Sequence, residues 1–140
     1  MVTQLGLFSH GPTLNVLRDL KVAMAKAADA TGLSRDELCD RINQLADRYG
    51  VRLVKGTGPN LTLATLEKWL NPEDKERVIP AKGLPVFCAA VNSIEPMQVM
   101  AAALGWRVID EKQARLLRLA ELDQEVKRKQ AMMKKLKAEL

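Results

Sequence analysis

One histidine, two cysteines and no C-x-x-C leave this chain of 140 residues almost without ligands for zinc. The histidine, His10, sits beside Gly11-Pro12 with no nucleophile in its neighbourhood. Cys39 and Cys88 are too few for a disulfide framework, and no basic segment precedes an apolar core at the N-terminus. The expected compartment is therefore a reducing cytoplasm. No run of 18 apolar residues occurs, so neither a membrane-spanning helix nor a membrane partner is expected. The motifs of nucleophilic and phosphate chemistry are missing too: no G-x-S-x-G, no P-loop and no glycine-rich strand-to-helix turn. The adjacent carboxylates Asp36/Glu37 and Glu73/Asp74 fall at a helix start and in a charged link, where the helix dipole and solvent account for them. The expectation is a protein that is not an enzyme and holds no metal and no cofactor. Aromatic residues make up only 4% and stretches alternating with period two are scarce, which points to an all-α protein.

Helical spacing is what the sequence does offer. Residues 1–13 carry Gly6, Gly11 and Pro12 without a period and read as a flexible arm. From Thr13, Leu14, Leu17, Leu20 (or Lys21), Met24 and Ala27 or Ala28 recur three or four apart until Thr31-Gly32. Ser34 and Glu37 then form the S-x-x-E capping box of a second helix, with Leu38, Ile42 and Leu45 on one face. Val51, Leu53 and Val54 read as a short extended piece, turned by Gly56, Gly58 and Pro59. Thr62 caps a third helix whose Leu66, Trp69 and Leu70 face inward and which Asn71-Pro72 terminates. After a charged, exposed link, Glu73–Ile79, a fourth helix covers Leu84–Val91, and a fifth runs from a Ser93 cap to Leu104. Trp106, Val108 and Ile109 are expected to pack back on this domain, residues 14–109. Both cysteines and both tryptophans read as core rather than as reactive or stacking groups.

Residues 110–140 contain neither Gly nor Pro and predict one helix of about 45 Å. Leu119, Leu122, Val126, Met133, Leu136 and Leu140 repeat at 3-4 spacing, interrupted by Lys129, which is the narrow stripe of a coiled coil. A homo-oligomer, dimer or higher, follows, with packing on the chain's own domain as the alternative. From Arg107 onward there are ten Lys and Arg against six Asp and Glu, leaving the first 106 residues nearly neutral with 12 against 11.

The second and third helices carry the functional reading. A helix that probes DNA needs inward apolar residues to fix its angle and small or polar residues on its outward, N-terminal face. Leu66, Trp69 and Leu70 meet the first need; Thr62, Ala64, Thr65 and Lys68 meet the second, methyls facing thymine and hydroxyls facing acceptors. Ser34 and Arg35, at a helix N-terminus, suit a phosphate. Arg48, Arg52 and Lys55 are candidate phosphate contacts if the long connection Asp47–Asn60 acts as a wing; a plain surface loop is the alternative.

The order Ser34-Arg35-Asp36-Glu37-Leu38, then Leu61 to Trp69 (LTLATLEKW), then Ile79 to Ala90 (IPAKGLPVFCAA) resembles the lambda-repressor/Cro-like DNA-binding fold. More narrowly it is similar to phage and prophage regulators of the CII-like type. That resemblance implies a five-helix domain followed by a coiled-coil helix, and a transcription regulator that binds operator DNA as an oligomer. By position, Thr62, Ala64, Thr65 and Lys68 inherit base contact, and Ser34 and Arg35 phosphate contact. Leu63 and Glu67, on the same helix, favour a second reading: a non-catalytic interaction protein whose C-terminal helix binds a phage or host protein.

Overall fold

The first helix owes its position to a stripe at 17, 20, 21, 24, 27 and 28 that is apolar except at one place. The computed structural model describes residues 13–140, so the expected arm, His10 included, lies outside the described residues apart from Thr13. Among the described residues every regular element is helical: α1 (Leu17–Ala30), α2 (Arg35–Arg48), α3 (Leu63–Leu70), a 3₁₀ turn (Ala81–Gly83), α4 (Leu84–Val91), α5 (Glu95–Ala103) and α6 (Glu111–Ala138). The chain divides into two compact units, one ending at Val108 and the other Ile109–Leu140.

In the first unit α1 packs on α5, α3 and α4, while α2 packs on α4 and α3. Met24, Ala28, Leu38, Ile42, Leu66 and Phe87 meet in its interior, each almost wholly removed from water. Burying a side chain such as Phe87 stabilises the fold by roughly 1.5–3 kcal/mol. Gly83 permits a close approach, since a Cβ there would lie 3.0 Å from the Leu53 side chain. Asn92 ends α4 in the left-handed region (φ 52°), where a short polar side chain is tolerated better than most.

Several expectations need correcting. Leu14 precedes α1 and is 74% exposed. Ala46, not Leu45, is the buried residue in the last turns of α2, with Leu45 half-buried beside it. The charged link is not simply exposed: Ile79 is buried, and Asp74 Oδ1 accepts from the Glu76 and Arg77 N–H groups, folding the segment into a turn. Ser93 lies one residue outside the cap of α5, although its hydroxyl accepts from the Glu95 N–H. Trp106 is 74% exposed, with its N–H on the Ala101 carbonyl, and Ile109 is exposed too; Val108 is tied down through both amide atoms of Gln98.

The exception in the α1 stripe is Lys21. It is 1% exposed, and its Nζ donates to the carbonyls of Lys68 (2.7 Å) and Arg77 (2.5 Å). Those carbonyls belong to the last turn of α3 and to the link that follows. One ammonium therefore ties α1 to both. Burial pushes Lys21 below the ordinary lysine value, with Asp74 pulling the other way.

Lys21→Met should keep the volume and lose both hydrogen bonds. A loss of about 1–3 kcal/mol is expected in urea unfolding, with faster amide exchange at Lys75–Val78 and an unchanged helical spectrum. The pH dependence has a definite sign. At low pH both folded and unfolded chains hold the Lys21 proton. Between the lowered folded value and the ordinary lysine value only the unfolded chain holds it, so stability rises with pH across that window. The Met variant should lack this alkaline rise.

Candidate nucleic-acid interface

The amino end of α3 is built from three side chains that satisfy backbone, two of them asparagines. Asn43 on α2 accepts the Leu61 N–H and donates to the Leu61 carbonyl, both at 2.9 Å, as a neighbouring strand would. Asn60 repeats the arrangement on the loop: its Oδ1 accepts the Leu53 N–H (2.7 Å) and its Nδ2 donates to the Val51 carbonyl (2.9 Å). Buried Leu53 and Leu61 anchor the same segment in the core. Thr62 follows at once as the cap of α3, its hydroxyl accepting from the Thr65 N–H.

With that end pinned and Leu66, Trp69 and Leu70 buried, α3 turns Ala64, Glu67 and Lys68 outward. Thr62 is exposed as well, but its Oγ1 also donates to the half-buried Thr65 Oγ1, so the two hydroxyls serve each other. Ala64 and Lys68 are the nominated residues left with side chains uncommitted among the described residues. Arg48 and Lys55 join them, both exposed and without an ion pair or side-chain hydrogen bond there. No other described segment of the first unit covers this edge.

Two nominated cations are engaged elsewhere. Arg52 bends into its own loop, donating from Nε to the Val54 carbonyl and from Nη2 to the Gly58 carbonyl, both at 2.8 Å. Its role is to hold Val51–Asn60 together. Arg35 is paired with Asp29 at 2.7 Å. At Ser34 the capping box is complete: the hydroxyl accepts the Glu37 N–H and the Glu37 carboxylate accepts the Ser34 N–H. That second bond holds the Glu37 carboxyl below its usual range. The helix N-terminus thus already has an anion, and Ser34 and Arg35 do not converge with Ala64 and Lys68 into one set of uncommitted groups.

Cys39 and Cys88 are buried, and burial pushes both thiols up, which makes them inert. Cys39 Sγ donates to the Leu61 carbonyl at 3.5 Å, a third tie on that residue. Among the described residues no cluster of His, Cys, Asp and Glu could hold a metal ion. Nor, among them, is any helix long and apolar enough to cross a membrane.

Sequence reasoning missed Asn43, Asn60 and Lys21 as positioning residues. The only signal was a polar residue on an otherwise apolar stripe, at Lys21 and at Asn43, four residues after Cys39. Asn43→Ala strands the buried Leu61 N–H, and unfolding free energy should fall by about 1–3 kcal/mol. Asn43→Asp keeps the acceptor but sets a carboxylate oxygen against the Leu61 carbonyl, and its unfolding free energy should fall at least as far in the same urea titration. Comparison of the chain with family models, curated proteins and solved structures gave no match.

Proposed function

We propose that this protein is a sequence-specific DNA-binding regulator of phage or prophage type, acting in the cytoplasm and holding operator DNA through α3 as an oligomer. In this reading the helices before Val108 are a lambda-repressor-like domain, and α6 is the coiled coil that joins two of them. The observation that carries it is the uncovered edge of α3. A short helix is anchored by three buried side chains and presents a small residue and a lysine, Ala64 and Lys68, to solvent. That combination suits major-groove entry, with a methyl for thymine and a cation for guanine or phosphate. Arg48 and Lys55 supply backbone contacts, the loop carrying Lys55 being held in shape by Arg52 and Asn60. Arg35 and Ser34 play no part, because Arg35 is paired with Asp29 and Ser34 is hydrogen-bonded within its capping box with Glu37.

Glu67 favours the alternative. Exposed beside Lys68, its carboxylate opposes phosphate, as expected of a head that does not read DNA in an interaction protein whose C-terminal helix binds the partner. The two readings separate in a binding selection from a random duplex pool. A regulator enriches a sequence preference; an adaptor enriches none.

On the selected duplex, Lys68→Ala should weaken binding about tenfold and lower the salt slope by about one, without changing the far-UV spectrum. Glu67→Gln should tighten it. With Arg48, Lys55 and Lys68 as the phosphate-neutralising cations, log K should fall with log salt at a slope of roughly −3 per head. Mobility shifts at several salt concentrations measure both.

The oligomer has its own test. A chain ending at Arg107 should remain folded yet sediment as a monomer, whereas the full chain sediments as an oligomer. A dimeric truncation would put the contact in the first unit.

A further inference from the structure

α6 has 28 residues and buries none of them. Leu119, Leu122, Val126, Met133, Leu136 and Leu140 are all exposed along one seam. We infer that α6 pairs with α6 of a second copy in antiparallel orientation, with residue 119 opposite 136 of the partner and 126 opposite 129. The inference rests on the oligomer proposed above and adds its orientation.

Lys129 decides first. It occupies the seam position between Val126 and Met133. Parallel helices place identical seam residues side by side, so two ammonium groups would meet in the apolar interior. Reversing one helix sets Lys129 against Val126 of the partner. Its stem then covers an apolar side chain while its ammonium reaches solvent.

Charge along the helix decides second. Three carboxylates, Glu121, Asp123 and Glu125, precede six cations between Lys127 and Lys137. A parallel pair lays the two cationic halves together. The antiparallel register sets Glu121 level with Lys134 of the partner, so that each acidic stretch runs beside a basic one at separations within the screening length. Opposed helix dipoles add to this modestly.

The flanking positions agree. In a parallel pair Arg118 would seek Asp123 of the partner, but Asp123 is already held by Lys127 of its own helix at 3.2 Å. In the antiparallel pair Arg118 meets Glu139 of the partner, which has no ion pair among the described residues.

The test is a full-length double variant, Leu119→Cys with Leu136→Cys, oxidised gently and mapped by peptide mass spectrometry. Within one helix these positions are about 26 Å apart, too far for a bond within the chain. Links between 119 and 136 should exceed links between like positions by about tenfold or more, and the unsubstituted chain controls for Cys39 and Cys88. Links of 119 to 119 and 136 to 136 overturn the orientation and leave the oligomer standing. No link, with a full chain that sediments as a monomer, overturns the oligomer itself; no link in a chain that sediments as a dimer overturns α6 as the seam.

Discussion

A single buried ammonium ties α3 and the link after it to α1. Lys21 lies where apolar periodicity asks for a leucine, yet its ammonium bonds two carbonyls, that of Arg77 and that of Lys68, the second of which also accepts the Asn71 N–H. A leucine there would fill the space but leave the Arg77 carbonyl without a donor, and a buried acceptor without a partner costs more than an average hydrogen bond contributes. The lysine also solves a geometric problem. The chain must leave α3 and return to Ile79 and α4, and tying both Lys68 and Arg77 to α1 closes that excursion at its two ends. Since Lys68 is also a residue whose side chain points outward, the backbone of α3 is fixed at the point from which its cation projects.

The other end of α3 is secured by a different device with the same logic. Val51–Asn60 has almost no regular structure, so its backbone donors and acceptors need partners from side chains. Asn43 and Asn60 each present an amide that imitates a peptide group, giving and taking one bond apiece. Arg52 gathers three further carbonyls of the same loop. This explains how a connection much longer than the turn of a compact helix-turn-helix can still deliver Thr62 in a defined orientation. It also leaves Arg52 engaged within the loop, while Lys55, at the exposed turn, has no ion pair or side-chain hydrogen bond among the described residues.

Local rules made much of this visible in advance. The Ser34–Glu37 box, the Thr62 cap, the inward triad of α3 and the span Leu84–Val91 all depend on residues within four positions of one another. Periodicity and capping chemistry read that range well. What they do not read is a polar side chain whose partner lies far along the chain. Lys21 reaches 47 and 56 residues ahead, and Asn43 reaches 18. For the same reason Arg35 and Arg52 look like free cations in the sequence and are engaged in the fold, because Asp29 and the Gly58 carbonyl become neighbours only after folding. Trp106 departs in the opposite direction: hydrophobicity alone places it in the core, but its side chain is 74% exposed although its N–H is bonded to the Ala101 carbonyl.

Among the cations nominated for phosphate, Arg35 and Arg52 are engaged within the first unit while Arg48, Lys55 and Lys68 are not, and that bears on how it could hold a polyanion. Three cations per head is a small electrostatic footprint, and the lost contribution of Arg35 and Arg52 makes it smaller than the sequence suggests. Two linked heads would bind far better than one, because the second binds at the high effective concentration set by the link. The orientation of α6 then matters to recognition. Helices paired in parallel would start both heads from the same end of the seam. Paired in reverse, with 119 opposite 136, the two starting points lie roughly 50 Å apart along the seam.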